Sequence, residues 1–237
     1  SGARVLDVPR SIHEPEVQTE SKTIADQDGK SSVQLLADVG MLEHRTIAAH
    51  VVWPTEADIE LLAGSKVGVI HNPTSNLKTG AGVAPVPAMI DAGVSMGLAT
   101  DGAASNNDLD MWEEIRLAAL LHKGVATDPT VMPAATVLNM ATRGGALAAG
   151  MAETGALTVG LKADMIQVSL DSMRLTPLYD VVSQLVYAAN SHDVITTIVE
   201  GAILMRDREV LTLDATAIKK AVEKIAVKIR KDLQKTG

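Results

Sequence analysis

Short apolar runs alternate with helix-like segments through most of this chain, and that alternation is the feature that most constrains its fold. Residues 46–52, 67–70 and 94–100 are apolar enough to form buried strands. Strands that alternate with helices predict a parallel sheet with right-handed crossovers. The pattern alone does not distinguish a doubly wound sheet from a (β/α) barrel. The helices predicted around these strands are residues 29–39, 55–63, 86–92, 110–123 and 133–142.

Several helix ends are predicted from capping signals. Asp110 and Glu113 have the spacing of a capping box, and Gly124 is placed to end the helix that they begin. Pro133 suits the first turn of the helix that follows. These signals give the βα units defined boundaries.

The composition is that of a globular protein whose core is built from small side chains. Hydrophobic residues make up 46% of the 237 residues, and there is neither Phe nor Cys. Small branched side chains suit helices packed on buried parallel strands. The lack of Cys excludes disulfides and thiolate metal ligands. A formal net charge of −8, with no basic run before the final segment, argues against a nucleic-acid partner.

The texture of the sequence changes after Gly155, where apolar and polar residues begin to alternate between Gly turns. Such alternation is typical of partly exposed antiparallel strands. We therefore expect one domain in residues 1–154 and a smaller β-rich unit with carboxy-terminal helices in residues 155–237. The basic segment 217–237 has its apolar residues at helical spacing. It is predicted to be a surface helix docked on its own domain, with a helix lying on a membrane as the alternative.

Neither a membrane span nor a signal peptide is evident. No stretch reaches the roughly twenty apolar residues that a spanning helix needs. We therefore expect no membrane partner and a cytoplasmic location. Because the chain begins with Ser1 rather than Met, we expect a processed product or a fragment.

Three places in the sequence carry candidate catalytic side chains. His50 lies in an apolar run, Asp101 follows a predicted strand, and His13 and Glu16 share the stretch IHEPE. Each has a plain structural explanation: a core histidine, a helix-capping aspartate and an exposed loop pair. In a parallel barrel, however, reactive side chains project from the carboxyl ends of the strands. Together these residues form the His/Asp/Glu set that a hydrolytic metal site requires.

The run TDGAASNNDLDMWEEIRLAALLHK at residues 100–123 resembles the stretch that holds the metal-binding Asp in methylthioadenosine/S-adenosylhomocysteine deaminases. These enzymes belong with the chlorohydrolases in the amidohydrolase superfamily. IHEPE, TIAAHVV and HNPTSNLK are similar to the motifs of the family's fifth, sixth and seventh barrel strands. The resemblance implies the carboxy-terminal part of a metal-dependent (β/α)8 TIM barrel, strands five to eight, followed by part of a small β-sandwich.

The resemblance also implies a role for each candidate. His13 would be a metal ligand, and Asp101 a second ligand that also moves a proton. Glu16 would carry a proton to the substrate ring, and His50 would polarise the attacking water or hold developing charge, so that both contact substrate. The metal would be divalent, zinc in preference to iron. In this pattern His71 is not a ligand, and His44, His122 and His192 are surface or structural residues, while Asn72, Ser75 and Asn76 shape the loop or contact substrate.

Two departures from the family pattern stand out. No His-x-His pair occurs anywhere in the sequence, so the metal would lack two of its usual ligands. The family's first four barrel strands have no counterpart, which predicts open strand edges and a remainder supplied by another chain or cut away. The stretch before His13 contains Asp7, Pro9, Arg10 and Ser11, which suits a central strand poorly and leaves strand five in doubt.

These observations predict hydrolytic deamination of an adenine nucleoside or thioether, with methylthioadenosine or S-adenosylhomocysteine as the type. The partners would be a small-molecule purine nucleoside and either another copy of the chain or a missing amino-terminal half. Two alternatives stay open at this point. One is another amidohydrolase activity, such as a guanine deaminase or a triazine chlorohydrolase. The other is a non-catalytic binding or assembly subunit.

Overall fold

The computed structural model describes residues 9–236, and it divides into two compact units. The first comprises the described residues up to Leu161 together with Leu170–Ser191. The second comprises Lys162–Ser169 and the chain from His192 onwards. The change of texture at Gly155 therefore lies shortly before the chain first enters the second unit.

The first unit contains a four-stranded parallel sheet. Its strands are β1 (Arg10–His13), β2 (Thr46–Ala49), β3 (Val67–His71) and β4 (Ser95–Leu98), which lie side by side in chain order. All three pairings are parallel, so the parallel βα arrangement predicted from the sequence is confirmed. Consecutive parallel order with helical crossovers is the arrangement of barrel strands.

The residues before His13 do form a strand, although their polar side chains and Pro9 had put that strand in doubt. Residues Arg10–His13 pair in register with Thr46–Ala49 throughout the strand. Pro9 lies just before the first paired residue, so no ladder hydrogen bond is lost to it. Among the described strands β1 is an edge strand, where polar residues and a neighbouring proline are tolerated.

Helices connect and flank these strands. The described α-helices, in chain order, are α1 (Gln18–Asp28), α2 (Ser32–Asp38), α3 (Glu56–Ala63), α4 (Pro73–Lys78), α5 (Val86–Asp91), α6 (Ala103–Asn106), α7 (Met111–Ala126), α8 (Ala134–Met140), α9 (Arg143–Ala148), α10 (Val181–Tyr187) and α11 (Ala215–Thr236). Short 3₁₀ turns lie at Met41–Glu43, Met173–Leu175 and Ser191–Asp193.

Two predicted helix boundaries were wrong. Gly29 does not begin a helix but ends α1, in the left-handed conformation with φ of 67°. The next helix begins only after Ser31, which forms a capping box with Gln34. Gly124 does not end α7, which continues to Ala126.

Two capping details also differ from the prediction. Asp110 caps α7 by accepting from the Trp112 amide, but Glu113 does not complete a capping box, because its carboxylate accepts from the Thr74 hydroxyl instead. Pro133 is the N-cap residue of α8 rather than part of its first turn.

The hydrophobic core lies between one face of the sheet and the helices that follow its strands. Apolar side chains of the strands meet apolar side chains of the helices there. Burial of this apolar area is the main stabilising contribution to the unit. The core includes Ala48, Val67, Val69 and Met96 from the strands and Leu62, Met89, Ile115 and Ala118 from the helices.

On the opposite face, helix α9 packs very closely against β3 and β4. A Cβ atom added at Gly68 would lie 1.9 Å from the Ala148 carbonyl oxygen, and one at Gly97 would lie 3.0 Å from the Gly145 Cα. The two strand glycines therefore make room for the helix backbone. This contact fixes α9 over the sheet.

The second unit is an antiparallel sheet, as the alternating sequence predicts. Its strands β5 (Met165–Val168), β6 (Val194–Val199), β7 (Ala202–Arg206) and β8 (Glu209–Val210) lie in that order. Helix α11 forms as predicted, but its docking on its own domain was wrong: Ile218, Val222, Ile225 and Ile229 are 46–58% exposed. Among the described residues, no helix is both long enough and apolar enough to span a bilayer.

We expect the substitution Gly68→Ala to lower the free energy of unfolding by about 1–3 kcal/mol, because the added methyl group cannot be accommodated without moving α9. The measurement is the midpoint of urea unfolding. Gly64→Ala is the control, since its new methyl group would have no backbone atom closer than 3.7 Å. Equal midpoints for the two variants would contradict the close packing of α9.

Candidate metal centre

The predicted catalytic side chains meet at the carboxyl edge of the parallel sheet. His13 is the last residue of β1, His50 follows β2 directly, and Asp101 follows β4. One nitrogen of each imidazole and one oxygen of the carboxylate all lie within 4.8 Å of one another. The structure thus brings together three residues that are far apart in the sequence.

The backbone at two of these residues is in a left-handed conformation. The φ angles are 72° at His50, 47° at Val51 and 63° at Asp101. Such angles are uncommon for residues other than Gly, and each costs about 1–3 kcal/mol. The chain therefore turns sharply where β2 and β4 end, and the alternation of the strands no longer sets the direction of these side chains.

The His50 imidazole is completely buried and is held at one nitrogen only. Its Nδ1 lies 2.9 Å from the Asn76 Oδ1 atom. An amide oxygen can only accept, so Nδ1 carries a proton, and in the neutral ring the lone pair is then on Nε2. Nε2 has no hydrogen-bond partner, although the Glu16 Oε1 atom lies 3.4 Å away. The His13 ring is the neighbour on the other side, with 5.4 Å between ring centroids.

Two serine hydroxyls hold the Asp101 carboxylate. Ser75 donates to Oδ2 at 2.8 Å, and Ser105 donates to the same oxygen. Partial burial raises the pKa of Asp101, but the hydrogen bonds from Ser105, Ser75 and the Gly102 backbone, together with His50, lower it below its ordinary value. Asp101 is therefore an anion at neutral pH and can accept a proton or bind a cation.

Glu16 is held near His50 through its backbone. The Trp53 indole N–H donates to the Glu16 carbonyl at 3.1 Å and to the Ala81 carbonyl at 2.8 Å. The other glutamate of IHEPE points elsewhere, because Glu14 is buried and accepts from the Ser32 hydroxyl at 2.5 Å. Glu16, the glutamate that was predicted to be catalytic, is therefore the one that lies beside His50.

A cleft of about 460 Å³ opens beside these residues along the uncovered part of the sheet. Its volume is in the range of small-molecule sites. Polar atoms of His13, Asn72 and Asp101 line one end of the cleft, and apolar side chains of the strands line its floor. The apolar lining includes Ile47, Ala49, Ile70 and Leu98.

The donor set fits a divalent metal. Two imidazoles and one carboxylate are ligands that zinc accepts, and the orphaned, buried Nε2 of His50 needs a partner of this kind. The sequence assigned His13 and Asp101 as ligands and gave His50 a separate role, whereas the geometry groups all three. In the part of the chain that the structure describes, no further His, Asp or Glu joins the group.

Two other histidines form a buried pair away from this group. The Nε2 atoms of His71 and His122 lie 3.3 Å apart between β3 and α7. Burial and the neighbouring His122 lower the pKa of His71 to about 3. Burial, with a smaller effect of Lys123, lowers that of His122 to about 4. Of the two roles expected for His122, the surface one is thus wrong, and its role is structural.

The chain matches the model of the amidohydrolase family over residues 4–204. The chain belongs to the amidohydrolase family. Its parallel sheet with the site at the carboxyl edge is therefore the carboxy-terminal part of the family's TIM barrel, and the predicted fold class is confirmed.

Relatives and solved structures agree with this assignment. Over 215 residues the chain is 48% identical to a 5'-deoxyadenosine deaminase of Methanosarcina mazei. This match covers 91% of this chain and 50% of the relative. It is 46% identical to a 5-methylthioadenosine/S-adenosylhomocysteine deaminase of Desulforudis audaxviator, covering 93% and 52%.

The structure of an adenosine deaminase from Xanthomonas campestris with bound zinc superposes with a TM-score of 0.93 at 40% identity, covering 97% of this chain and 52% of that one. The amidohydrolase chain thus spans about half the length of the relatives that it matches.

We expect the Asn76→Leu variant to lose the single Nδ1–H tautomer of His50, because the only acceptor for that proton is removed. The measurement is the ¹⁵N shifts of the imidazole nitrogens at neutral pH. Asn76→Asp retains an oxygen acceptor at the same place and should retain the tautomer. An unchanged Nδ1–H tautomer in the leucine variant would contradict the hydrogen bond.

We expect the free energy of unfolding to fall by an amount on the order of a few kcal/mol between about pH 7 and about pH 4. The pKa values of His71 and His122 are lower in the folded chain. The unfolded chain therefore takes up more protons as the pH falls below the ordinary histidine value. The contribution of these two histidines to the free energy of unfolding is complete above the ordinary histidine pKa. It is lost as the pH falls towards the pKa values of the folded chain.

Urea unfolding at several pH values measures this dependence. His122→Asn should reduce the pH dependence, because it removes one of the two buried imidazoles. A variant at position 122 with the slope of the unmodified chain would show that the pair does not titrate as described.

Proposed function

We propose that this chain carries the carboxy-terminal half of the catalytic centre of a metal-dependent deaminase that acts on adenine nucleosides or their thioethers. The observation that carries the proposal is the meeting of His13, His50 and Asp101 within 4.8 Å, with Glu16 beside them. The deaminases of Methanosarcina mazei and Desulforudis audaxviator, which are 48% and 46% identical to this chain over the matched residues, support the substrate class.

In this proposal His13, His50 and Asp101 hold a divalent metal, and zinc is favoured because the Xanthomonas enzyme binds it. When bound, the metal lowers the pKa of a coordinated water to about 7 and so supplies a nucleophile at neutral pH. The nitrogen and oxygen donors suit zinc and do not exclude iron.

The chain's own residues divide the proton transfers between two carboxylates. Asp101 is an anion whose Oδ2 is occupied by two hydroxyl donors, which leaves Oδ1 to accept the proton of the attacking water. Asp101 then passes this proton to the amino group of the substrate, which departs as ammonia when the C–N bond breaks. Glu16 is partly exposed beside the site and delivers a proton to the ring nitrogen of the purine. General acid and base steps of this kind contribute about 10²–10⁴-fold each.

Asn76 fixes the orientation of His50 in this scheme. With its Nδ1 donating to Asn76, His50 can present its Nε2 to the metal. The ring is buried, and this hydrogen bond favours one orientation of it. His50 thereby keeps its ligand atom in a fixed position, and precise positioning of this kind contributes to catalysis.

The remaining parts of the centre are proposed to come from the other half of the enzyme. Among the described strands, β1 and β4 each have one unpaired edge, which an eight-stranded barrel would close. The family resemblance adds two histidine ligands from a His-x-His pair, which this chain lacks. Self-association and a cytoplasmic location belong to this proposal as well.

The test is ammonia release by the enzyme with a complete barrel, using 5'-deoxyadenosine, methylthioadenosine, S-adenosylhomocysteine and guanine. We expect activity on the adenine compounds, its loss after removal of the metal with a chelator, and a drop in kcat of about 10²–10⁴-fold in Glu16→Gln. The exposed Glu60→Gln is the control and should retain activity.

Activity on guanine alone would instead favour another amidohydrolase specificity. An enzyme with a complete barrel that binds the metal but releases no ammonia from any of the four compounds would contradict the deaminase proposal. That result would favour a binding subunit.

A further inference from the structure

Glu114 is a buried carboxylate in the first turn of α7, and none of the steps above uses it. Its side chain is completely buried. One oxygen accepts from the Thr74 backbone amide at 3.1 Å, and the other accepts from the Asn106 side-chain amide at 2.7 Å. Both donors are neutral, and these hydrogen bonds, together with the position in the first turn of α7, offset part of the free-energy cost of burying this group.

The first of these bonds fixes the start of α4. Pro73 occupies the first turn of this helix, and Asn72 makes no side-chain capping bond. The Thr74 amide is therefore one of the unpaired donors of the helix start, and the Glu114 carboxylate provides the acceptor that a capping side chain would otherwise supply. The two residues after Thr74 are Ser75 and Asn76, which hold Asp101 and His50 respectively.

The second bond fixes the segment that follows Asp101. Asn106 ends helix α6, and its Oδ1 accepts from the Leu109 amide at 2.9 Å while its amide nitrogen donates to Glu114. Ser105, the residue before it, is the second hydroxyl that holds Asp101. One buried carboxylate thus links the two segments whose serines donate to Asp101.

A neutral side chain of the same shape cannot replace this carboxylate. Both oxygens of Glu114 accept, and a glutamine has only one oxygen. If the glutamine oxygen faces Thr74, its amino group meets the amino group of Asn106. Reversing the Asn106 amide relieves that clash but removes the acceptor for the Leu109 amide. Either arrangement leaves one of these donors without its partner, which costs free energy.

We propose that Glu114 is a positioning residue of the catalytic centre, which fixes α4 and the α6 turn so that Ser75, Ser105 and Asn76 hold Asp101 and His50 in their reactive orientations. The inference rests on the proposed deaminase function and adds a residue to it. Glu114 touches neither the donor set nor the cleft. Its loss should therefore act on turnover more than on substrate binding.

The experiment compares Glu114→Gln with Glu113→Gln in the complete enzyme. Glu113 is the adjacent residue on the surface, and a glutamine there retains an acceptor for the Thr74 hydroxyl. We expect Glu114→Gln to lower kcat about 10–100-fold, as loss of a supporting hydrogen bond to a metal centre does, with KM changed by less than about threefold. Glu113→Gln should stay within about twofold in both constants.

A rescue variant separates positioning from general stability. Adding Asn106→Asp to Glu114→Gln exchanges the two groups: the glutamine oxygen accepts from Thr74, its amino group donates to the new carboxylate, and that carboxylate still accepts from Leu109. We expect kcat to recover to within about fivefold of the unmodified enzyme. Recovery of the melting temperature without recovery of kcat would overturn the proposal, as would full activity in Glu114→Gln alone.

The His50 tautomer gives a readout that does not depend on activity. In the isolated 237-residue chain, Glu114→Gln should disturb the single Nδ1–H tautomer of His50, and the double variant should restore it. Glu113→Gln should have no effect on the tautomer. If the complete enzyme deaminates none of the nucleosides, the proposed function fails while this comparison still decides the role of Glu114. An undisturbed tautomer would overturn the inference.

Discussion

Parallel pairing of four consecutive strands is the constraint on which the rest of the structure depends. Because every strand runs in the same direction, every carboxyl end reaches the same edge of the sheet. Residues separated by dozens of positions in the sequence, such as His13 and Asp101, become neighbours there without any contact encoded locally. The core on the far face stabilises the sheet, and the edge is left free for chemistry.

The site combines strained backbone with side chains that have little freedom. His50 and Asp101 adopt left-handed conformations that cost free energy. Hydrogen bonds with Asn76 and Ser75, two buried residues of helix α4, offset part of that cost and keep each side chain in one orientation. This division is common in enzymes, where the scaffold supplies the stability that the reactive residues give up.

The strands, their parallel direction and the strand-end positions of His50 and Asp101 could be predicted because they depend on local pattern. The order of the strands could not, and it was implied only by the family resemblance. Apolar runs show where strands lie, and the strand-end rule then selects His50 and Asp101. Helix α1 could not be predicted in this way, since none of its residues is buried and it has no apolar periodicity. The Gly124 signal failed because a glycine inside a helix costs only about 1 kcal/mol, which tertiary packing overrides.

The supporting hydrogen bonds were beyond sequence reasoning for another reason. Ser75 and Asp101 lie 26 positions apart, and Thr74 and Glu114 lie 40 apart. Such pairs leave no periodic or motif signal, because their meeting depends on how whole helices pack. The motif HNPTSN drew attention to Asn76, but nothing in it could have identified its partner as His50.

Helix α4 is only six residues long, yet two consecutive residues on it serve two different partners. Consecutive side chains on an α-helix diverge by about 100° around the axis, since there are about 3.6 residues per turn. A rotation of α4 about that axis would move Ser75 and Asn76 together and so alter the hydrogen bonds to Asp101 and His50 at the same time. A movement of this helix therefore cannot reposition one of the two side chains alone, although a substitution at Ser75 or Asn76 can.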